Sequence, residues 1–249
     1  MTVNEIKKYR KKDACSYCLG SYPTFELLQR RPETVEMILL HSDARAEIRD
    51  KLTAECKKTG IKPVCSNRLL EKLRDKDNCI VIGIFRKYDC KLEHHANHVV
   101  LVNPGDMGNL GTIIRSCAGF GIHNLAIIEP AADIFDPRTV RASMGALFGI
   151  KCQYFSCFAQ YAQEYGGERV NYPFMLDGEQ RLGTFAHPKD KPYSLIFGNE
   201  ARGLDASYRE VGKSVVIPHT HSIDSLNLSL AAGIGIYEFC KELLEVCGQ

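Results

Sequence analysis

The 249-residue chain has no tryptophan and no uncharged apolar run near the ~20 residues that a bilayer-spanning helix needs. Its start lacks the apolar core of a secretory signal. A soluble, cytoplasmic protein is expected, with no membrane partner. Cysteine is plentiful at 11, but the number is odd, the residues are scattered and nothing points to secretion, which argues against a disulfide framework. Cys15 and Cys18 have the spacing of half a zinc site, and only Cys90 with His94, His95 and His98 could supply the rest. No second CxxC exists, so no metal is expected. Nucleotide-phosphate signatures are missing too: Gly105, Gly108 and Gly111 are spaced GxxGxxG, not GxGxxG, and no Lys-Ser/Thr pair follows them. Ser225, His221 and Asp224 lie close in sequence, but without a GxSxG elbow they give a hydrolase little support.

A formal net charge of +2 says little about partners. Locally, NEIKKYRKK sets Lys7, Lys8, Arg10, Lys11 and Lys12 against one glutamate. Such a stretch is a solvated helix face or a contact for phosphate groups.

From Tyr22 to Leu73 helix-like and strand-like text alternates: PTFELLQRR, VEMILLHSD, ARAEIRDKLTAECKKTG, IKPVCS and NRLLEKLRD. Pro23 sits where a helix begins and Gly60 where one ends, and Ser66 or Asn67 can cap the next. Between Ile80 and His98 the periodicity fades, IFRKYDCKLEHHANH reads as a connection between domains, and the boundary is placed near residue 95. Beyond it, β-branched runs recur at HVVLV, NLAIIE, IKCQYF, YPFMLD, YSLIFG and KSVVIP, with helical text between them, including PRTVRASMGALFG and FAQYAQEYG. Repeated β-then-α text predicts a parallel sheet covered on both faces, with ligands outside the strands' carboxyl ends. Three loops there carry unusual chemistry: PGDMGN, GNEARGLD and PHTHSIDSLN.

The first loop leads into a segment whose spacing predicts a helix over 112–120, ended by Gly121. One side gathers Ile113, Ile114, Cys117 and Phe120; the other gathers Gly108, Gly111, Thr112, Arg115, Ala118 and Gly119. Arg115 therefore stands on a thin strip that a backbone, a ligand or a partner helix can approach closely, unless the strip is simply solvent-exposed.

Taken together the loops resemble the SpoU/TrmH family of RNA ribose 2′-O-methyltransferases in the SPOUT superfamily. The first family motif corresponds to Asn109-Leu-Gly-Thr-Ile-Ile-Arg115, the second to Gly198-Asn-Glu200-Ala-Arg-Gly203-Leu204, and the third to Ile217-Pro218 with Ser225-Leu-Asn227-Leu-Ser229. RASMGALFG, residues 141–149, also matches, and the N-terminal region looks like an L30e-like substrate-binding domain. The resemblance implies an α/β fold: a Rossmann-like parallel sheet with a C-terminal trefoil knot over 96–249, and a small L30e-like α/β domain over 1–95. It implies S-adenosyl-L-methionine as cofactor, RNA (ribosomal or transfer) as partner, and a homodimer. The small residues Ala231, Ala232, Gly233 and Gly235 would serve close packing at such a crossing, though ordinary helix packing uses the same stripe.

By the same resemblance Arg115, Asn109, Glu200, Ser225 and Asn227 form the catalytic set, and Phe197, Gly198, Ile217 and Leu226 contact the cofactor, mostly through main chain. Lys7, Lys8, Arg10, Arg138 and Arg141 are candidate RNA contacts. A guanidinium, with a pKa above ~12, is a poor base. Arg115 is therefore read as gripping the phosphate beside the target ribose and polarising the 2′-oxygen, with neutral Arg115 as base the alternative. Asn109 would orient Arg115 or the ribose from the loop before its helix, or cap that helix. Ser225 is the expected cap of the last helix, leaving Asn227 for a ligand, and Glu200 would hold the second loop together through backbone amides or Arg202. The third loop departs from the family, whose proline is usually followed by Met and soon by Gly: here it reads His219-Thr-His221-Ser-Ile-Asp224. Both histidines are read as ordinary loop residues, with RNA contact or pH sensitivity as the alternative.

Overall fold

The computed structural model describes residues 6–187, 190–220 and 222–247. The chain divides into two compact units, Met1–Tyr88 with Asp133–Gly149, and Asp89–Ala132 with Ile150–Gln249.

In the first unit the strands β1 (Cys15–Leu19), β2 (Val35–Leu40), β3 (Val64–Cys65) and β4 (Val81–Arg86) form one sheet in the order β1-β4-β2-β3. Only the β2–β3 pair is parallel. Alternation splits β2 between two cores: Leu39 joins Ile6, Tyr17, Ile82 and Ile84, whereas Ile38 and Leu40 join Leu28, Leu52 and Cys56. The helices are α1 (Ser21–Arg30), α2 (Ala46–Thr59) and α3 (Asn67–Leu73). Their ends follow the expected signals: Gly60 closes α2 at φ 73°, and the Ser66 side chain caps α3 by accepting from Leu69 N.

Two expectations changed here. IFR, read as the start of a connection, is the end of the central strand β4, which is buried apart from Arg86. A strand buried on both faces loses the alternation that periodicity relies on. RASMGALFG, read with the second domain, belongs to the first unit: Phe148 packs edge-on against Phe85 at 5.2 Å, and Ser16 Oγ donates to the Phe135 carbonyl. At Gly145, φ 82°, an added Cβ would lie 2.6 Å from Cβ of Glu26.

Cys15 and Cys18 are both in β1. Three residues apart on a strand, their side chains leave opposite faces, an arrangement unsuited to gripping one metal ion. The basic stretch is irregular chain, not a helix face, and Ile6 anchors it in the core.

The second unit is a five-stranded, wholly parallel sheet in the order β7-β6-β5-β10-β8. Its strands are β5 (His98–Val102), β6 (Asn124–Ile128), β7 (Lys151–Phe155), β8 (Val170–Pro173) and β10 (Tyr193–Phe197). β9 (Gln180–Arg181) and β11 (Val215–Val216) pair apart from it, so KSVVIP contributes no strand to the main sheet. The helices are α4 (Met107–Gly119), α6 (Phe158–Tyr165) and α7 (Leu228–Cys247), with α5 (Pro137–Ala142) in the first unit. His98 is buried, and its ring nitrogens bond Tyr161 Oη and Glu93 O at 2.9 and 2.8 Å. Burial, then the nearby Arg169 charge, push its pKa down to about 3.

Strand order reverses direction between β5 and β10. This switch point is where ligands of open parallel sheets lie.

Candidate active site

The first loop leaves β5 through Asn103, held in the left-handed region at φ 53°. α4 begins at Met107, five residues earlier than expected, because the Asp106 side chain caps it by accepting from Asn109 N at 2.7 Å. Asn109 is therefore neither loop nor cap. It stands in the first turn with its side chain free to reach sideways. Arg115 follows on the same helix, exposed, and makes no hydrogen bond or ion pair with any other described residue.

The second loop leaves β10, and its Glu200 reaches back to the first. The carboxylate accepts from Gly105 N at 3.1 Å, Asp106 N at 3.2 Å and Asn109 Nδ2 at 3.2 Å. Glu200 thus binds loop to loop, and no described bond joins it to Arg202. Partial burial would raise its pKa, but these donors and its own amide outweigh that and hold it below the ordinary 4.5. Asn199, which the sequence did not single out, fixes the junction: its Nδ2 donates to Asn103 O at 2.7 Å and its Oδ1 accepts from Ala201 N at 2.9 Å. Its only sequence signal is its place between Gly198 and Glu200.

Asn227, from the third loop, completes the connection. Its Oδ1 accepts from Ser229 N at 2.8 Å, so Asn227 caps α7, the role expected of Ser225. Its Nδ2 donates to Asn109 Oδ1 at 3.1 Å. One chain of side-chain bonds, Glu200–Asn109–Asn227, therefore ties the start of α4 to two later loops, 91 and 118 residues further along the chain.

Beside this junction opens a cleft of 370 Å³, a size suited to a small organic ligand. Its lining includes all four positions expected to contact cofactor, Phe197, Gly198, Ile217 and Leu226, together with Glu200 and Ser225. Phe174 and Phe197 stack at 4.4 Å between centroids, and Gly235 of α7 lies on them so closely that a Cβ would be 2.7 Å from Phe174 Cζ. At Gly198 a Cβ would fall 2.1 Å from the Gly203 carbonyl carbon. Both glycines are imposed by close approach. Apolar rings, backbone groups and a few polar ends suit an adenine-bearing, partly charged molecule. Asn109, Arg115 and Asn227 are not among the lining residues.

α7 packs against α4 and β10. On α4 it meets Ser116 through Gly233 and Phe120 through Tyr237, the two rings in edge contact at 5.7 Å. Gly119 remains open, with nothing within 4 Å of an added Cβ. α7 exposes Leu230, Ile234 and Tyr237, one helical turn apart, and Tyr237 lies against Phe120, the residue after Gly119.

The candidate RNA contacts are all in the first unit. Arg138 is held by Asp136 through two bonds of 2.9 Å, Arg141 pairs with Asp75 at 3.4 Å, and Lys7 pairs with Asp13 at 3.2 Å. Lys8 and Arg10 are exposed, Arg10 donating its backbone N–H to Asp13 at 3.0 Å. His219 is half-buried and donates Nδ1–H to the Ile217 carbonyl at 2.9 Å; His221 lies outside the described residues.

The family model described as the SpoU rRNA Methylase family matches residues 96–237. The chain belongs to that family. It is 32% identical over 149 residues to a 23S rRNA (uridine(2479)-2′-O)-methyltransferase of Streptomyces viridochromogenes, an alignment covering 58% of this chain and 52% of that one. The chain spans about half the length of the curated relatives it matches. The fold is that of the SpoU methyltransferase AviRb from the same organism, with a TM-score of 0.77 at 22% identity over 94% of this chain and 91% of that one. An AdoMet-bound rRNA methyltransferase from Sinorhizobium meliloti superposes with a TM-score of 0.75 at 26% identity, covering 92% and 88%.

Proposed function

We propose that this SpoU-family chain transfers a methyl group from S-adenosylmethionine to the 2′-hydroxyl of a ribose in ribosomal or transfer RNA. The observation that carries the reading is the Glu200–Asn109–Asn227 connection, which brings the three motif loops together at the mouth of the cleft.

When bound, S-adenosylmethionine supplies an electrophilic methyl group. The chain's own residues do the rest. Gly198, Ile217 and Leu226 offer backbone to hold the cofactor, and Phe197 offers a ring. Ionised Glu200 fixes Asn109, which with Asn227 fixes the start of α4. Arg115, exposed on α4 and free of any described partner, is available for a phosphate. Its planar fork would grip the phosphate beside the target ribose and polarise the 2′-oxygen, the proton leaving to that phosphate or to water. Holding reacting groups near contact can lower a barrier by ~7–11 kcal/mol.

The proposal extends to the assembly. The first unit serves as an L30e-like RNA-recognition domain, the trefoil crossing implied by the family forms the cofactor site, and two copies pair through the exposed Leu230, Ile234 and Tyr237 of α7. Incubating the protein with radiolabelled S-adenosylmethionine and RNA, then digesting to nucleosides, tests the reaction. Label on 2′-O-methylnucleosides is expected, and label on a base with unmodified ribose would reject it.

A further inference from the structure

A second cavity, of 640 Å³, adjoins the cleft: Leu176, Ile217 and His219 line both. Glu179, Arg181, Ile223 and Asp224 complete the part of its lining that carries chemistry. Leu176 and Ile223 are 64% and 49% exposed and present apolar surface at the cavity. The side chains of Glu179, Arg181 and Asp224 make no hydrogen bond or ion pair with any described residue. His219 has its proton placed on Nδ1 by the Ile217 carbonyl, which can only accept, so the neutral ring leaves Nε2 as an acceptor.

The polar inventory is therefore lopsided: two carboxylates and an imidazole nitrogen that accept, against one guanidinium that donates. A complementary ligand has a flat apolar face, adjacent N–H donors on one edge and a single anionic group. Among RNA nucleotides, adenine and cytosine each set an amino group beside a ring acceptor, and uracil sets one N–H between two carbonyls. Guanine alone presents adjacent N1–H and N2–H₂ donors, and single-stranded RNA is commonly read on that edge. We propose that this cavity binds a guanosine nucleotide of the substrate RNA, with Glu179 and Asp224 accepting from the base edge and Arg181 holding the phosphate. The inference rests on the methyltransferase reading of the neighbouring cleft.

Calorimetry on the full chain tests it in two stages. S-adenosylhomocysteine is titrated first, to fill the cleft. The four nucleoside 5′-monophosphates are then titrated into the loaded protein. GMP is expected to bind more tightly than AMP, CMP or UMP by about ten-fold or more, the discrimination that paired base-edge hydrogen bonds give. Glu179→Gln and Asp224→Asn should erase that preference, and Arg181→Ala should weaken every monophosphate, all three leaving the affinity for S-adenosylhomocysteine unchanged. Displacement of GMP by S-adenosylhomocysteine, equal binding of all four nucleotides, or no saturable GMP binding into the millimolar range would each overturn the inference. Failure of S-adenosylhomocysteine to bind would instead remove the reading of the cleft, and GMP titrated into the free protein would still decide the second site.

Discussion

Asn227 Nδ2 donates to Asn109 Oδ1 at 3.1 Å, joining residues 118 positions apart, while the other side-chain atom of Asn227 caps α7. One amide thus serves a helix and the site at once, and its two functions can be separated chemically.

Asn227→Asp keeps an oxygen for the α7 cap but replaces the donor facing Asn109 with an acceptor. The variant should melt within about 1 kcal/mol of the parent, since a carboxylate at a helix N-cap is as good as an amide. Methyl transfer should nevertheless fall steeply. Asn227→Ala loses both functions and should also cost ~1 kcal/mol of stability. Thermal melts beside single-turnover rates separate the two, and an Asn227→Asp protein with full activity would show that the contact with Asn109 is incidental.

Glu200 gives a pH signature. Its folded pKa lies below the ordinary 4.5, so the charged form stabilises the loop junction above that value, and the contribution is lost as pH falls through the folded pKa. Glu200→Gln should cost about 1 kcal/mol at neutral pH, the low end for a charged acceptor because the side chain is largely solvated. The difference in melting temperature between parent and variant should shrink as pH drops from 6 to below 4. A difference that stays constant across that range would show that ionisation of Glu200 contributes nothing.

Arg115→Ala should abolish methyl transfer while S-adenosylhomocysteine binds almost as before, because Arg115 does not line the cleft. Arg115→Lys should restore little, since an ammonium cannot reproduce the bidentate fork. Parallel loss of affinity and rate would move Arg115 into the cofactor site.

How far these assignments were legible in the sequence depends on range. Local chemistry was readable: Gly60, Ser66 and Gly121 end or cap helices as their types suggest, and HVVLV, NLAIIE and YSLIFG are parallel strands. β1 and β4 were missed, the first noticed only for its two cysteines and the second buried without alternation. The motif loops were legible as a set because each follows a run of β-branched residues. Their mutual bonds were not: Asp106 took the cap open to Asn109 as its alternative role, Asn227 took the cap expected of Ser225, and Glu200, bonded within its own loop by Asn199, also bound the first loop. A side chain capable of several hydrogen bonds does not reveal its partner until the chain has brought distant segments together.

Gly119 tests the assembly. An added Cβ has nothing within 4 Å in its own chain, so Gly119→Leu should leave the protomer as stable or stabilise it by up to ~1 kcal/mol through helix propensity. If a second copy covers the strip, the same change should weaken association by ~1–3 kcal/mol through overpacking. Sedimentation over a concentration series should show the weaker dimer, and an unaltered, active dimer would mean that the strip faces solvent.

The return of Asp133–Gly149 to the first unit bears on how the chain is made. During synthesis the ribosome releases residues 1–88 first, yet Phe85 still lacks Phe135 and Phe148, and Ser16 still lacks the Phe135 carbonyl, until some sixty further residues have emerged. By then β5, α4 and β6 are outside the tunnel without β10, the central partner of β5. Each unit therefore waits on chain that is translated after part of the other, and the N-terminal unit cannot finish alone and early, as successive domains ordinarily do. Ribosomes stalled before residue 133 should carry a nascent chain that proteases still cut within the first 88 residues, and stalling well past residue 149 should protect it.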